Sequence, residues 1–174
     1  MIIHRNISNI LSDDDYGIQG EYLISVWTKE DCLLLSEKTQ KGYNMTKIGE
    51  IVEKYWNEIP QHFNNITLKE YIVTDDKIYG IVNIDIYGKK NSNTQPVYNS
   101  LSHFEITFGM MISQKNPFLI EGSLFHIINW FKAASLIEIR KNNNTFLWKT
   151  GYYEFKLEDK GSSDKLQNIM YNLR

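Results

Sequence analysis

The residues that most often carry out catalysis or bind metals are scattered in this sequence. The histidines are His4, His62, His103 and His126. No two of them have the one- or three-residue separation that places two ligands on one strand or one helix face. The single cysteine, Cys32, has no second thiol for an internal disulfide or a zinc site. We therefore expect no metal centre and no cofactor.

Aromatic and basic residues towards the C-terminal end are of the types that bind single-stranded nucleic acid. Unpaired bases stack on aromatic rings, and phosphates pair with lysine and arginine. The candidate residues are Lys132, Arg140, Lys149, Tyr152, Tyr153 and Lys156, and the resemblance described below adds Lys77. The alternative is that the rings pack a sheet against a helix and that the charges form a solvated rim. Composition alone favours this alternative.

The composition is that of a globular chain without a strong excess of positive charge. Of the 174 residues, 42% are hydrophobic and 23% are charged, and the formal net charge is −2. Contact with DNA must therefore come from a local patch of basic residues. No apolar run approaches the ~20 residues that a membrane span requires, and the N-terminal stretch does not resemble a signal peptide. We expect a cytoplasmic protein that does not contact a membrane.

Two stretches have the apolar spacing of amphipathic helices. They cover residues 46–59 and 123–140, with apolar side chains recurring every three or four positions. Thr46 and Ser123 are suitable N-cap residues, and Pro60 predicts the end of the first helix. A final short helix is predicted at 164–173.

Four stretches alternate in the manner of strands, at 21–28, 68–74, 78–87 and 146–157. Asp75-Asp76 forms the turn between the second and third, where adjacent carboxylates are usually solvated. The order β-α-β-β-α-β predicts an α+β fold, a ferredoxin-like antiparallel sheet with helices packed on it. We expect a single domain over 1–174, with a polar N-terminal arm (about 1–20), a mixed connector (29–45) and an insertion (about 88–121).

Four segments resemble successive parts of the REP-associated tyrosine transposases, which are single-tyrosine (HUH, insertion-sequence type) transposases. The last of them carries a W-x-x-x-Y-Y-E pattern. They are Gly20–Leu34, Ile48–Val73, Ser123–Lys141 and Phe146–Asp159. Together they cover well over half of the chain in the family's order. The resemblance implies the transposase-like fold and a DNA partner, single-stranded or hairpin.

The family's chemistry depends on an H-h-H motif. Its two histidines hold a divalent metal that polarises the scissile phosphate, and a tyrosine on the last helix attacks phosphorus. Here the matching residues read Asp75-Asp76-Lys77-Ile78-Tyr79-Gly80. The apolar middle residue and the glycine match, but Lys77 and Tyr79 occupy the histidine positions. An ammonium group, or a phenol with a pKa of about 10, is a poor metal ligand.

Two further positions depart from the family pattern. In L-x-x-I-x-x-Y, Leu166 and Ile169 match, but the tyrosine position falls on Asn172, and Tyr171 lies one residue earlier. Phe155 stands where the family's Y-Y-E-H strand has histidine. The departures imply a degenerate, catalytically inactive and repurposed relative. No catalytic residue is expected, and Tyr171 is the nucleophile only if the chain is an enzyme.

Three functions remain open. The favoured one is a transposase-like domain that binds DNA without cleaving it, with Lys77 supplying the positive charge that the metal once gave. Alternatively, Lys77 and Tyr79 simply fill a disused cavity. The second function is a protein–protein interaction module, in a larger assembly or as a homodimer, which the acidic balance and the insertion favour. The third is an active transposase or nuclease with an altered metal site and Tyr171 as nucleophile.

Overall fold

A computed structural model describes residues 3–5, 19–29, 34–40, 42–85 and 122–157, with Asp164, 166–168 and Met170. These residues form, in chain order, β1 (Ile3–Arg5), β2 (Gly20–Trp27), β3 (Ser36–Thr39), β4 (Gly42–Met45), α1 (Lys47–His62), β5 (Ile66–Val73), β6 (Lys77–Ile84), α2 (Leu124–Arg140) and β7 (Tyr152–Leu157). The backbone is also helical at Asp164, 166–168 and Met170. The predicted insertion and Tyr171 lie outside the described residues.

Five strands form one antiparallel sheet in the order β1-β7-β2-β6-β5, while β3 and β4 form a separate hairpin. β2 is paired with β6 from Gly20 opposite Ile84 to Trp27 opposite Lys77, and with β7 on its other side. β5 and β6 form the antiparallel hairpin expected across the Asp75-Asp76 turn. The predicted α+β fold, an antiparallel sheet with helices, is confirmed.

Both helices pack on the same side of the sheet, which we call the helix face. Alternate residues of β2 and β6 point to this side and are buried against apolar residues of α1 and α2. The largest fully buried rings there are Trp56 and Phe131. The opposite side, the outer face, carries a smaller apolar cluster of Ile72, Ile81, Leu157 and Met170.

The helix starts are as expected, but the end of α1 is not. The Thr46 and Ser123 hydroxyl oxygens accept hydrogen bonds from the backbone N–H groups of Gly49 and His126. The prediction that Pro60 ends α1 is wrong, because the helix continues to His62. A proline in the last turn removes only one backbone donor, and the bond from Phe63 N–H to the Ile59 carbonyl still closes the turn.

Three strand assignments also need correction. The segment expected to be an arm contains β1, which pairs with β7. The stretch expected to be a mixed connector contains the β3–β4 hairpin. The last strand begins at Tyr152 rather than at 146, because residues 146–151 are irregular apart from one bridge between Thr28 and Trp148. Gly151 has a positive φ of 74° directly before β7, a conformation that interrupts a strand and suits glycine.

The glycine that follows Tyr79 has a packing role. A Cβ atom at position 80 would lie 2.1 Å from Cζ2 of Trp56, well inside van der Waals contact. Trp56 is fully buried and packs edge-on against Phe131, with ring centroids 5.3 Å apart. Gly80 therefore lets α1 approach the sheet closely enough to bury this indole.

Replacing Gly80 by alanine should destabilise the fold. We expect the Gly80→Ala substitution to lower the free energy of unfolding by about 1–3 kcal/mol, the usual cost of overpacking a dense core. Urea unfolding followed by circular dichroism measures the change. In a double-mutant cycle, Gly80→Ala should cost less free energy of unfolding in a Trp56→Phe background than in the wild type, because the clashing part of the indole is removed. A Gly80→Ala protein as stable as the wild type would contradict the packing argument.

Candidate nucleic-acid interface

The strand register places a group of aromatic and basic residues together on the outer face. Trp27 lies opposite Lys77, and Ser25 lies opposite Tyr79 on one side and Tyr153 on the other. Because side chains alternate along a strand, all of these project to the same side of the sheet. We call these five residues, together with Lys149, the outer-face cluster.

Lys77 is the centre of this cluster, and its charge has partners within the protein. Its Nζ atom lies 3.6 Å from the centroid of the Trp27 ring and 5.7 Å from that of Tyr79. It is also 3.1 Å from Oδ1 of Asp76, and the lysine side chain is only 17% exposed. The ammonium is thus held by a cation–π contact and an ion pair.

Lys149 and Tyr153 join the cluster from the other side of β2. The Lys149 backbone N–H donates to the Trp27 carbonyl at 2.8 Å, and its ammonium lies 5.7 Å from the Trp27 ring. The rings of Trp27 and Tyr153 are 6.0 Å apart. Three of the predicted nucleic-acid contacts, Lys77, Lys149 and Tyr153, are therefore neighbours. Lys149 and Tyr153 are both partly exposed.

Lys132 and Arg140 have structural contacts instead. The Lys132 ammonium donates to the carbonyls of Lys149 at 2.5 Å and Gly151 at 2.8 Å, and burial lowers the pKa of Lys132 to about 8. Arg140 Nε donates to the Phe146 carbonyl at 3.2 Å. Lys132 and Arg140 therefore hold segment 146–151 against α2, and Lys132 has little exposed surface with which to reach a phosphate.

Tyr152 and Lys156 lie on the other side of the sheet. Tyr152 is 3% exposed and belongs to the helix-face core, so its ring has no free face for a base. Lys156 is exposed, and its Nζ atom lies 5.9 Å from the ring of Tyr22, a helix-face residue. The seven predicted contact residues therefore do not form one patch.

The residues at the two positions that the sequence resemblance assigns to histidines do not fit a divalent metal. Lys77 presents an ammonium that is paired with a carboxylate, and Tyr79 presents a phenol. No group of three or more His, Cys, Asp or Glu side chains in the described part of the chain is arranged to hold a metal ion.

None of the helices that the structure describes is long and apolar enough to cross a membrane.

Sequence reasoning missed two members of the cluster, Ser25 and Trp27. Ser25 Oγ and Trp27 Nε1 are buried, and neither has a hydrogen-bond partner among the described residues. Leaving such a donor unpaired costs about 1–3 kcal/mol. The alternation of β2 puts both residues on one face, but nothing in the sequence shows which face α1 and α2 leave uncovered.

The fold resembles that of a solved transposase. It is similar to a REP-associated tyrosine transposase bound to a REP hairpin, with a TM-score of 0.55 and 8% identity, over 93% of this chain and 71% of that one. A second solved structure, a proposed transposase from Deinococcus radiodurans, gives a TM-score of 0.44 at 12% identity, over 95% and 98% of the two chains.

The sequence comparisons are less specific. An uncharacterized protein of Haemophilus influenzae is 25% identical over 173 residues, which is 98% of this chain and 88% of that protein. No protein-family model matches the chain. The likeness therefore concerns the fold, and function has to be argued from the residues of this chain.

The low pKa of Lys132 predicts a pH dependence of stability. The pKa rises from about 8 in the folded chain to about 10.4 when unfolded, so the unfolded state binds more protons between these values. Stability should therefore increase with pH through this window. From pH 7 to pH 9.5 we expect a gain of about 2 kcal/mol from this residue. Urea titrations of the wild type and of Lys132→Met at both pH values isolate the contribution of Lys132, because all other titrating groups are the same in the two proteins. Equal pH dependence in both proteins would contradict the assignment.

Proposed function

We propose that this chain is a transposase-like domain that binds single-stranded or hairpin DNA through its outer face and does not cleave it. The observation that carries this proposal is the outer-face cluster itself. Three aromatic rings, Trp27, Tyr79 and Tyr153, lie beside two lysines on a surface that α1 and α2 leave uncovered. Single-strand binders combine these two kinds of side chain, using rings for bases and cations for phosphates.

The structural neighbour supports DNA as the partner. That transposase shares the fold and was solved with a REP hairpin. Here the outer face carries Lys77 and Tyr79 at the positions that the sequence resemblance assigns to the family's metal ligands. The ammonium of Lys77 supplies a fixed positive charge near the point where a phosphate would lie. It has no vacant orbital with which to coordinate oxygen, so it can attract a phosphate but cannot act as a Lewis acid.

Two observations favour the second function, a protein–protein interaction module. The carboxylate of Asp76 lies 3.1 Å from the Lys77 ammonium and cancels much of its field. The formal net charge of the chain is also −2. A partly neutral aromatic surface suits a protein partner, or a second copy of this chain, as well as it suits DNA. The DNA titration below distinguishes the two functions.

The enzyme alternative depends on Tyr171. That residue lies outside the described residues, but Met170 is buried on the outer face against Ile81 and Leu157. Met170 therefore lies on the same side of the sheet as Tyr79. This placement makes covalent trapping the decisive experiment for the alternative.

Lys149 and Lys156 provide a matched pair for testing DNA binding, because they lie close in sequence but on opposite faces. We expect Lys149→Glu to weaken binding to a hairpin with a single-stranded flank by roughly tenfold at low salt. The slope of log affinity against log salt concentration should fall by about one, the amount expected for one lost phosphate contact. Lys156→Glu should stay within about twofold of the wild type. Fluorescence anisotropy at two salt concentrations measures both. Equal losses in the two variants, or no binding by the wild type at low salt, would favour the interaction module.

Covalent trapping tests for the absence of cleavage. The protein is incubated with labelled single-stranded and hairpin DNA and with either magnesium or manganese. We expect no protein–DNA adduct in a denaturing gel, because Lys77 and Tyr79 cannot hold the metal ion that serves the family as Lewis acid. An adduct that disappears in Tyr171→Phe would overturn the proposal and establish the enzyme. Tyr43→Phe, a substitution of a partly buried tyrosine on β4, serves as the control.

A further inference from the structure

Two buried donors in the outer-face cluster have no hydrogen-bond partner in the part of the chain that the structure describes. Ser25 is 7% exposed, and its hydroxyl, like the indole N–H of Trp27, has no hydrogen bond among the described residues. The two residues are neighbours on the same face of β2, and the cross-strand partners of Ser25 are Tyr79 and Tyr153. Native structures rarely leave two such donors unpaired side by side, so each one requires an explanation.

An unpaired indole N–H is not by itself a binding site. Trp56 Nε1 also lacks a hydrogen bond within the described part of the chain, but it is enclosed in the helix-face core beside Gly80 and Phe131. A ligand cannot reach it without opening the core. Trp27 differs because the residue as a whole is partly exposed, a second donor lies beside it, and a tyrosine ring packs 6.0 Å away.

The chemistry around these donors matches a planar, largely uncharged ligand better than an anion. Both donors are neutral; Tyr79 and Tyr153 lie opposite Ser25, and the Tyr153 ring is 6.0 Å from that of Trp27. The Lys77 ammonium is paired with Asp76, which weakens, but does not remove, its attraction for a phosphate. A nucleobase offers what the site lacks, namely acceptor atoms at its edge and a flat face that stacks on tyrosine or tryptophan.

We propose that the outer-face cluster is a pocket for one unstacked nucleobase, whose edge accepts hydrogen bonds from Ser25 Oγ and Trp27 Nε1. This inference rests on the proposed function and makes it more specific. Tyr79 and Tyr153, which are partly exposed, flank the serine. In the proposed complex, one of these tyrosine side chains rotates so that its ring stacks on the base and the base edge reaches the hydroxyl. The indole can only donate. Adenine presents its N7 acceptor beside an amino donor, which the indole cannot accept, whereas thymine presents carbonyl acceptors, so thymine should bind better than adenine.

The test compares three short single-stranded oligonucleotides, namely oligo-dT, oligo-dA and an abasic strand of equal length. For the wild type we expect dT to bind about tenfold more tightly than the abasic strand, and dA to fall between them. Ser25→Ala and Trp27→Phe should each weaken dT binding several-fold and leave the abasic strand unchanged, so the preference shrinks. Affinity is measured by anisotropy, and circular dichroism shows whether each variant is folded.

Two matched substitutions serve as controls. Trp148→Phe removes an indole N–H that donates to Ser135 Oγ on the helix face, and Ser36→Ala removes a buried hydroxyl near the Val73 carbonyl. Neither should alter the preference for dT. If Trp27→Phe does not fold, Ser25→Ala carries the test alone, because it removes only one oxygen atom.

The outcomes separate the pocket from the proposed function. If all three strands bind equally well, and Lys149→Glu still weakens binding, the chain binds the DNA backbone and the base pocket is wrong. An unchanged dT preference in Ser25→Ala also overturns the pocket. If no strand binds at low salt, both the pocket and the proposed function fail.

Discussion

The register of β2 between β6 and β7 is the constraint on which both faces of the sheet depend. Because side chains alternate, a slip of one residue would move Ser25 and Trp27 into the core and turn Ile24 and Val26 outwards. The approach of Trp56 to Gly80 reinforces this register, since a residue with a Cβ at that point would push α1 away. The buried helix face therefore determines which side chains meet on the outer face.

The helices and the central strands could be predicted from the sequence because their signals are local. α1 and α2 have apolar stripes and capping hydroxyls, and apolar residues recur at every second position on one face of β6. β1 and the β3–β4 hairpin could not be predicted. β1 has three residues and exists through its pairing with β7, which lies far away in the sequence, and β3 and β4 have four residues each. Such short strands have too few positions for a periodic pattern to emerge.

The composition of the candidate site was only partly predictable. Period-two alternation already implies that Tyr152 and Tyr153 point to opposite faces, so both could not stack on DNA. Lys132 lies four residues after Ile128, beside the buried stripe of α2, which is a signal of partial burial. Its carbonyl partners at Lys149 and Gly151, however, are created by the tertiary fold. The role of Trp27 depends in the same way on which face the helices cover.

The contacts between α2 and segment 146–151 make this connection unlike an ordinary loop. Three side chains of α2 bond to it in antiparallel order, with Arg140 at Phe146, Ser135 at Trp148, and Lys132 at the carbonyls of 149 and 151. Because the rise per residue of the helix is fixed, the spacing of these three side chains on α2 also fixes the length of the segment that they contact. Irregular backbone normally tolerates inserted residues. Here one extra residue would put every later contact out of step, so the connection is a poor place for a tag, a label or a fused domain.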